Sequence, residues 1–171
     1  VVSIDYSFCN RVDLQWNAAS GATSYQIWRN TTNNSATATL IGTDTASPYS
    51  DFSAVAGTFY YYWVKAVYPC GTSGFSAAAG GAREALPPAP TNVQATDGTA
   101  CGSTTITWNA VARATSYQVY RNTTNTSSGA TLAGSPATNS FVDTGGTAGV
   151  VYFYFVRAIN ICGTGPFGTS N

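Results

Sequence analysis

Apolar residues alternate with polar ones along several short runs of this chain. Val12, Leu14 and Trp16 are separated by Asp13 and Gln15, Tyr25 and Ile27 flank Gln26, and Tyr60, Tyr62, Val64 and Ala66 keep the same spacing. A period of two marks a strand with one face buried. Between these runs lie stretches rich in Asn, Thr, Ser, Gly and Pro, such as NTTNNSATAT (30–39) and PATNSFVDTGG (136–146), which read as turns. No segment carries a helical period, so the chain is predicted to be all β.

The pattern occurs twice. A shift of 92 residues carries Trp16-Asn17-Ala18 onto Trp108-Asn109-Ala110, and ATSYQIWRNTTN (22–33) onto ATSYQVYRNTTN (114–125). The same shift matches Asp51 with Asp143, Gly57 with Gly149, Tyr60 with Tyr152, Cys9 with Cys101 and Cys70 with Cys162. A register that holds without a gap from first cysteine to last is a duplication. LPPAP (86–90) marks the junction, because proline fixes φ and withholds N–H donors. The expected domains are therefore 1–86 and 87–171. Copy one carries no LPPAP-like lead-in, and copy two is expected to stop before its last strand is complete, as in a piece of a longer array or a chain whose ends pair with neighbours. Short strands with this spacing indicate a sandwich of two antiparallel sheets in each copy.

Composition narrows the chemistry. Charged residues make up 8% of the 171, against about 25% in an average soluble domain. Lys and Arg together number 7, as do Asp and Glu, so no basic surface is available for a nucleic-acid backbone. No apolar run approaches the roughly 20 residues that span a bilayer. Any export signal would lie outside this sequence. There is no histidine, which removes Ser-His-Asp and Cys-His arrangements and imidazole ligands. The cysteines lie 61, 31 and 61 residues apart with no C-x-x-C pair, so no zinc site is expected. GTSG and GTGG lack the lysine and following helix of a phosphate loop. The chain is expected to be non-catalytic, with no metal and no cofactor.

The residues that recur resemble fibronectin type III domains. The match rests on the second-strand Trp16 and Trp108, the third-strand YQI (25–27) and YQV (117–119), and the sixth-strand GTFYYYWVKA (57–66) and GVVYFYFVRA (149–158), with Asp51 or Asp143 shortly before. The resemblance covers essentially the whole chain and implies two tandem immunoglobulin-like, seven-stranded antiparallel sandwiches, of a kind found in bacterial secreted and cell-surface proteins. It also implies that both tryptophans fill the cores, and that Tyr60 and Tyr152 form tyrosine corners whose hydroxyls bond nearby backbone. Asp51 and Asp143 are expected to cap turns through backbone N–H groups. Paired cysteines are a departure from most of the family.

Under that topology Cys9 and Cys101 precede the second strand, and Cys70 and Cys162 follow the sixth, at the opposite pole. At ~3.3 Å per residue the poles are roughly 25–30 Å apart, whereas a disulfide needs Cα atoms within about 7 Å. The preferred bridge is therefore Cys9–Cys162 between domains, leaving Cys70 and Cys101 to bond a neighbouring domain or molecule. Bridges within each domain and reduced buried thiols remain as alternatives. Disulfides imply an oxidising, extracellular setting.

The alternation also predicts outward-facing aromatics. Tyr61 and Trp63 on the sixth strand of copy one, Phe153 and Phe155 on that of copy two, and Trp28 and Tyr120 on the adjacent third strands would form a contact face for neighbouring copies or glycans. The stems of Lys65 and Arg157 and adjacent loops would otherwise cover it. N-x-[ST] triplets at Asn30, Asn33, Asn122 and Asn125 mark a surface loop open to glycosylation. The expected function is a non-catalytic structural or adhesive segment of an extracellular surface protein, a filament or sheath subunit among its forms. The competing expectation is a spacer or weak carbohydrate-binding accessory region of a secreted polysaccharide-degrading enzyme. Receptor-like recognition through the loops has no motif to support it.

Overall fold

The computed structural model describes residues 2–4, 7–96 and 102–169. It divides into two compact units that meet between Ala85 and Leu86. Unit one contains β1 (Val2–Ile4), β2 (Val12–Gln15), β3 (Ser24–Asn30), β4 (Thr39–Asp44), β5 (Tyr49–Asp51), β6 (Tyr60–Tyr68), β7 (Gly71–Thr72) and β8 (Ala79–Gly81). One antiparallel sheet has the order β1-β2-β5; the other has the order β4-β3-β6-β7, with β8 also paired to β6.

Unit two contains β9 (Gln94–Ala95), β10 (Thr104–Thr107), β11 (Ser116–Asn122), β12 (Thr131–Gly134), β13 (Ser140–Asp143), β14 (Phe153–Asn160) and β15 (Gly163–Thr169). Its sheets run β13-β10-β9 and β12-β11-β14-β15, again antiparallel. Each unit is therefore a sandwich of the same strand order. The alternating runs fall on the central strands, because only strands flanked on both sides keep one face against the other sheet. PATNSFVDTGG departs from its reading as a turn, since it contains β13. Phe141 packs partly into the core beneath that strand, while Val142 is exposed; four residues are too few for the period to show.

In unit two one contiguous core joins Val93, Ile106, Trp108, Tyr117, Val119, Tyr154, Val156 and Ala158. Unit one holds two clusters. Val12, Leu14, Ile27, Ala54, Tyr60 and Tyr62 form one, and Tyr25, Val64 and Ala66 the other, with the half-buried Trp16 against both. The expected core tryptophans thus differ: Trp108 is 2% exposed, whereas Trp16 is only partly covered.

The last strand also differs. In unit two β15 is continuous, and the proline-rich segment runs beside it: a Cβ on Gly165 would meet the Pro87 carbonyl, and one on Gly168 the Pro90 carbonyl. In unit one the matching positions are Ser73 and Ser76. Their hydroxyls accept from the Ala66 and Val64 amides at 2.9 and 3.0 Å. Those side chains take N–H donors of β6 that a ladder would use, and the strand is broken into β7 and β8.

Candidate functional site

The sixth strand and the aspartate before it assemble a buried polar cluster in each unit. Asp51 is 1% exposed. Its Oδ1 accepts from the Ser53 amide and hydroxyl at 2.9 and 2.7 Å, and Oδ2 accepts from Arg29 at 2.6 Å and from the Tyr62 hydroxyl at 3.0 Å. Asp143 repeats the arrangement with the Gly145 amide at 2.9 Å, Arg121 at 2.6 Å and the Tyr154 hydroxyl at 3.1 Å. Turn capping accounts for half of this. The arginine and tyrosine partners come from strands that the sequence does not place beside the aspartate.

Burial works against the charge on Asp51, but hydrogen bonds from Ser53 and Arg29 outweigh it and hold the carboxyl below its ordinary range. Burial likewise opposes ionisation of Asp143, and Arg121 with the Gly145 amide overrides it. Burial, then the neighbouring carboxylate, pushes the Tyr62 hydroxyl far up. A carboxylate saturated with donors and fixed as an anion is a structural anchor. Around it, the Arg29 guanidinium lies 4.3 Å from the centre of the Tyr60 ring. Tyr60 accepts a long bond from the Val55 amide at 3.4 Å, and Tyr152 one from the Thr147 amide at 3.4 Å. Both hydroxyls meet the nearby backbone that a tyrosine corner implies.

The aromatic face is covered rather than bare. Trp63 is 4% exposed and Phe155 1%, against their expected outward position. The cause is an aromatic late in each unit, between β7 and β8 in unit one and on β15 in unit two. Phe75 packs edge-on against Trp28 with centroids 5.5 Å apart and against Trp63 at 6.4 Å, with the Lys65 ammonium 4.1 Å from its ring centre. Phe167 repeats this against Tyr120 at 5.3 Å and Phe155 at 6.3 Å, with Arg157 at 5.0 Å. Arg157 is fixed by Gln118 at 2.9 Å and by the Tyr120 hydroxyl at 2.6 Å. Tyr61 and Phe153 are half-buried. Phe59, which the alternation did not single out, stacks edge-on at 5.4 Å from Tyr61 and is 39% exposed. Phe75 and Phe167 match under the shift of 92 residues, a signal that was available in the sequence.

Cys9 and Cys162 are each disulfide-bonded, Cys70 is an exposed free thiol, and Cys101 lies outside the described residues. The four sequon asparagines separate into two kinds. Asn30 and Asn122 end β3 and β11 and brace the loop that follows. The Asn30 amide donates to the Asn34 carbonyl and to Thr37 Oγ1, both at 2.9 Å, and that of Asn122 to the Thr126 and Ser128 carbonyls at 2.9 and 3.2 Å. Asn33 and Asn125 are exposed.

No protein-family profile matches the chain. A match that covers 88% of its length makes it 31% identical to exoglucanase B of Cellulomonas fimi, of which it spans 14%. Over 58 residues it is 41% identical to a poly(3-hydroxybutyrate) depolymerase of Ralstonia pickettii, spanning 34% of this chain and 10% of that one. The chain thus covers a small fraction of each curated relative. Among solved structures, an Fn3-like protein from Clostridium thermocellum is 36% identical, with a TM-score of 0.44, over 50% of this chain and 88% of its own. The chicken CNTN1 FN1-FN3 domains are 19% identical, with a TM-score of 0.45, over 98% of this chain and 65% of theirs. With one strand order in both sandwiches, and the sixth-strand tyrosine, valine and alanine placed inward in each, the units have the fibronectin type III fold.

Proposed function

We propose that this chain is a non-catalytic spacer within a larger extracellular polymer-degrading protein. The observation that carries this is the likeness to exoglucanase B, which runs through 88% of this chain but only 14% of that protein. A likeness that spans both units yet a small share of the relative suits an accessory segment. The aspartates support it, since each is committed to holding its own fold. Of the two expectations, the spacer is favoured over the filament or sheath, which gains nothing from these likenesses. With Trp28, Trp63, Tyr120 and Phe155 packed under Phe75 and Phe167, the carbohydrate-binding form of the reading is the weaker one.

A spacer gains from a stiff joint, because two domains joined by a linker flex by default. The proposed joint is a Cys9–Cys162 bridge, supported by the disulfide-bonded state of both residues beside a free Cys70. Non-reducing peptide mapping is expected to recover a Cys9–Cys162 peptide; a Cys9–Cys70 peptide would sink the joint. For the function, the two units are excised from the protein that carries them. Turnover of a soluble oligomer is expected to stay unchanged while attack on the insoluble polymer falls several-fold. Lost turnover of the soluble substrate would show that the units serve the chemistry itself.

A further inference from the structure

The loop after β3 has an unusually close match in the loop after β11. RNTTN (29–33) recurs unchanged as RNTTN (121–125), and Ser35 recurs as Ser127. Thr31, Thr32 and Asn33 are exposed, as are Thr123, Thr124 and Asn125. Other loops have lost their likeness: TASP (45–48) stands against ATNS (137–140), and FSAV (52–55) against TGGT (144–147), without a shared position. Surface loops drift unless something holds them. Arg29 and Arg121 are held by the buried aspartates, and Asn30 and Asn122 by the bonds that brace the loop. Neither Asn33 nor Asn125 donates or accepts a side-chain hydrogen bond among the described residues. Each is the middle residue of a three-residue turn, in which the Asn34 amide donates to the Thr32 carbonyl and the Thr126 amide to the Thr124 carbonyl, both at 2.7 Å. Packing and bracing thus account for the first two residues of the repeated stretch and leave its last one unexplained.

We propose that Asn33 and Asn125 are sites of N-linked glycosylation, one in each unit, and that Asn30 and Asn122 stay unmodified. All four begin an N-x-[ST] triplet, so the triplet alone does not separate them. The chemistry does. A transferase brings the side-chain nitrogen to the anomeric carbon of a sugar carried on a lipid diphosphate. An N–C bond forms, the anomeric C–O bond breaks, the diphosphate leaves with that electron pair, and one amide proton passes to a base. The asparagine keeps a single N–H. At Asn30 this removes one of two bonds, to the Asn34 carbonyl or to Thr37 Oγ1, and at Asn122 one of those to the Thr126 and Ser128 carbonyls. A sugar would also have to stand where those acceptors crowd the nitrogen. At Asn33 and Asn125 no bond is lost. The hydroxyls that complete their triplets, on Ser35 and Ser127, are engaged by no other group among the described residues. Loop tips are where proteases cut, and a bulky sugar at each tip would shield them.

The test is peptide mapping by mass spectrometry of the protein recovered from the cells that produce it, before and after a glycosidase that leaves aspartate in place of each sugar-bearing asparagine. Sugar is expected on the peptides that carry Asn33 and Asn125, with conversion to aspartate at those two positions alone. Ser35→Ala and Ser127→Ala keep all four asparagines, and each is expected to abolish the sugar of its own unit and to leave that of the other. After removal of the sugar, Asn33→Gln is expected to unfold at the parent's midpoint, whereas Asn30→Gln unfolds earlier. Absence of sugar from either Asn33 or Asn125 overturns the proposal. So does sugar on Asn30 or Asn122, or its survival in unit one of Ser35→Ala. Each of these results leaves the spacer reading standing, because that reading is judged by turnover of polymer and not by modification.

Discussion

The two units share a strand order and a buried anchor, yet their final strands differ. Unit two lays a proline-rich segment over the edge, drives Val93 into the core and buries Trp108, so that its apolar residues form one cluster. Unit one turns two serine hydroxyls back onto β6, leaves Trp16 half-covered and holds its apolar residues in two clusters. Where unit two has Gly165 and Gly168, unit one has Ser73 and Ser76. A carbonyl can approach a strand closely only where no Cβ stands in the way. The central strands, where packing is determined from both sides, match in the two units, and the final strands do not.

The comparison breaks most visibly at the tryptophans. Trp108→Ala is expected to destabilise unit two by about 4 kcal/mol, in the range for a buried aromatic, and Trp16→Ala to destabilise unit one by roughly half as much. Hydrogen exchange read separately at β14 and β6 amides measures both. Equal losses would mean that Trp16 is as well packed as its counterpart.

The anchor should treat the units alike. Asp51→Asn and Asp143→Asn each leave a partly exposed arginine without its counter-charge, at a cost of about 2 kcal/mol, in the range for a hydrogen bond to a charged group. Both carboxyls have pKa values lowered by folding, so their contribution is complete above the unfolded-state value near 4 and is lost as pH falls through the folded-state value. Equilibrium denaturation between neutral and strongly acid pH is expected to show stability declining in the parent and a shallower decline in each variant.

Gly168→Ala probes the edge. The added Cβ would meet the Pro90 carbonyl, and overpacking of this kind costs about 2 kcal/mol. The reciprocal Ser76→Gly in unit one should cost less than about 1 kcal/mol, the worth of one hydrogen bond. Urea midpoints of the two variants give the comparison directly, and a larger loss for Ser76→Gly would reverse the assignment of which edge is closely packed.

The smallest effect is expected at the turn after the second strand. Arg113 adopts φ +60°, where unit one has Gly21 at φ +79°. Arg113→Gly relieves a left-handed strain of about 1 kcal/mol, partly offset by the greater freedom of glycine when unfolded. A rise of a few tenths of a kcal/mol, of that order after the offset, is expected from thermal unfolding.

The duplication, the class of fold and the inward residues of the central strands were legible in the chain. Each of those positions repeats with a period of two and recurs after 92 residues. The short strand β13 escaped, since Phe141 alone marks its buried face. The aromatic stripe was legible as a stripe, but Trp63 and Phe155 face out from β6 and β14 only until Phe75 and Phe167 are laid across them. Alternation reports which side of a strand a residue occupies. It does not report what a loop brings to that side.

By itself the sequence determined two copies of one antiparallel sandwich, poor in charge, without histidine and bearing four cysteines. Those follow from composition and from patterns local to each strand, where neighbours along the chain are also neighbours in space. Only the tertiary structure decided which arginine and tyrosine satisfy each buried aspartate, which aromatics are covered, and how each final strand pairs. These depend on groups tens of residues apart meeting at a few ångströms, and the presence of a single Cβ is enough to change the outcome.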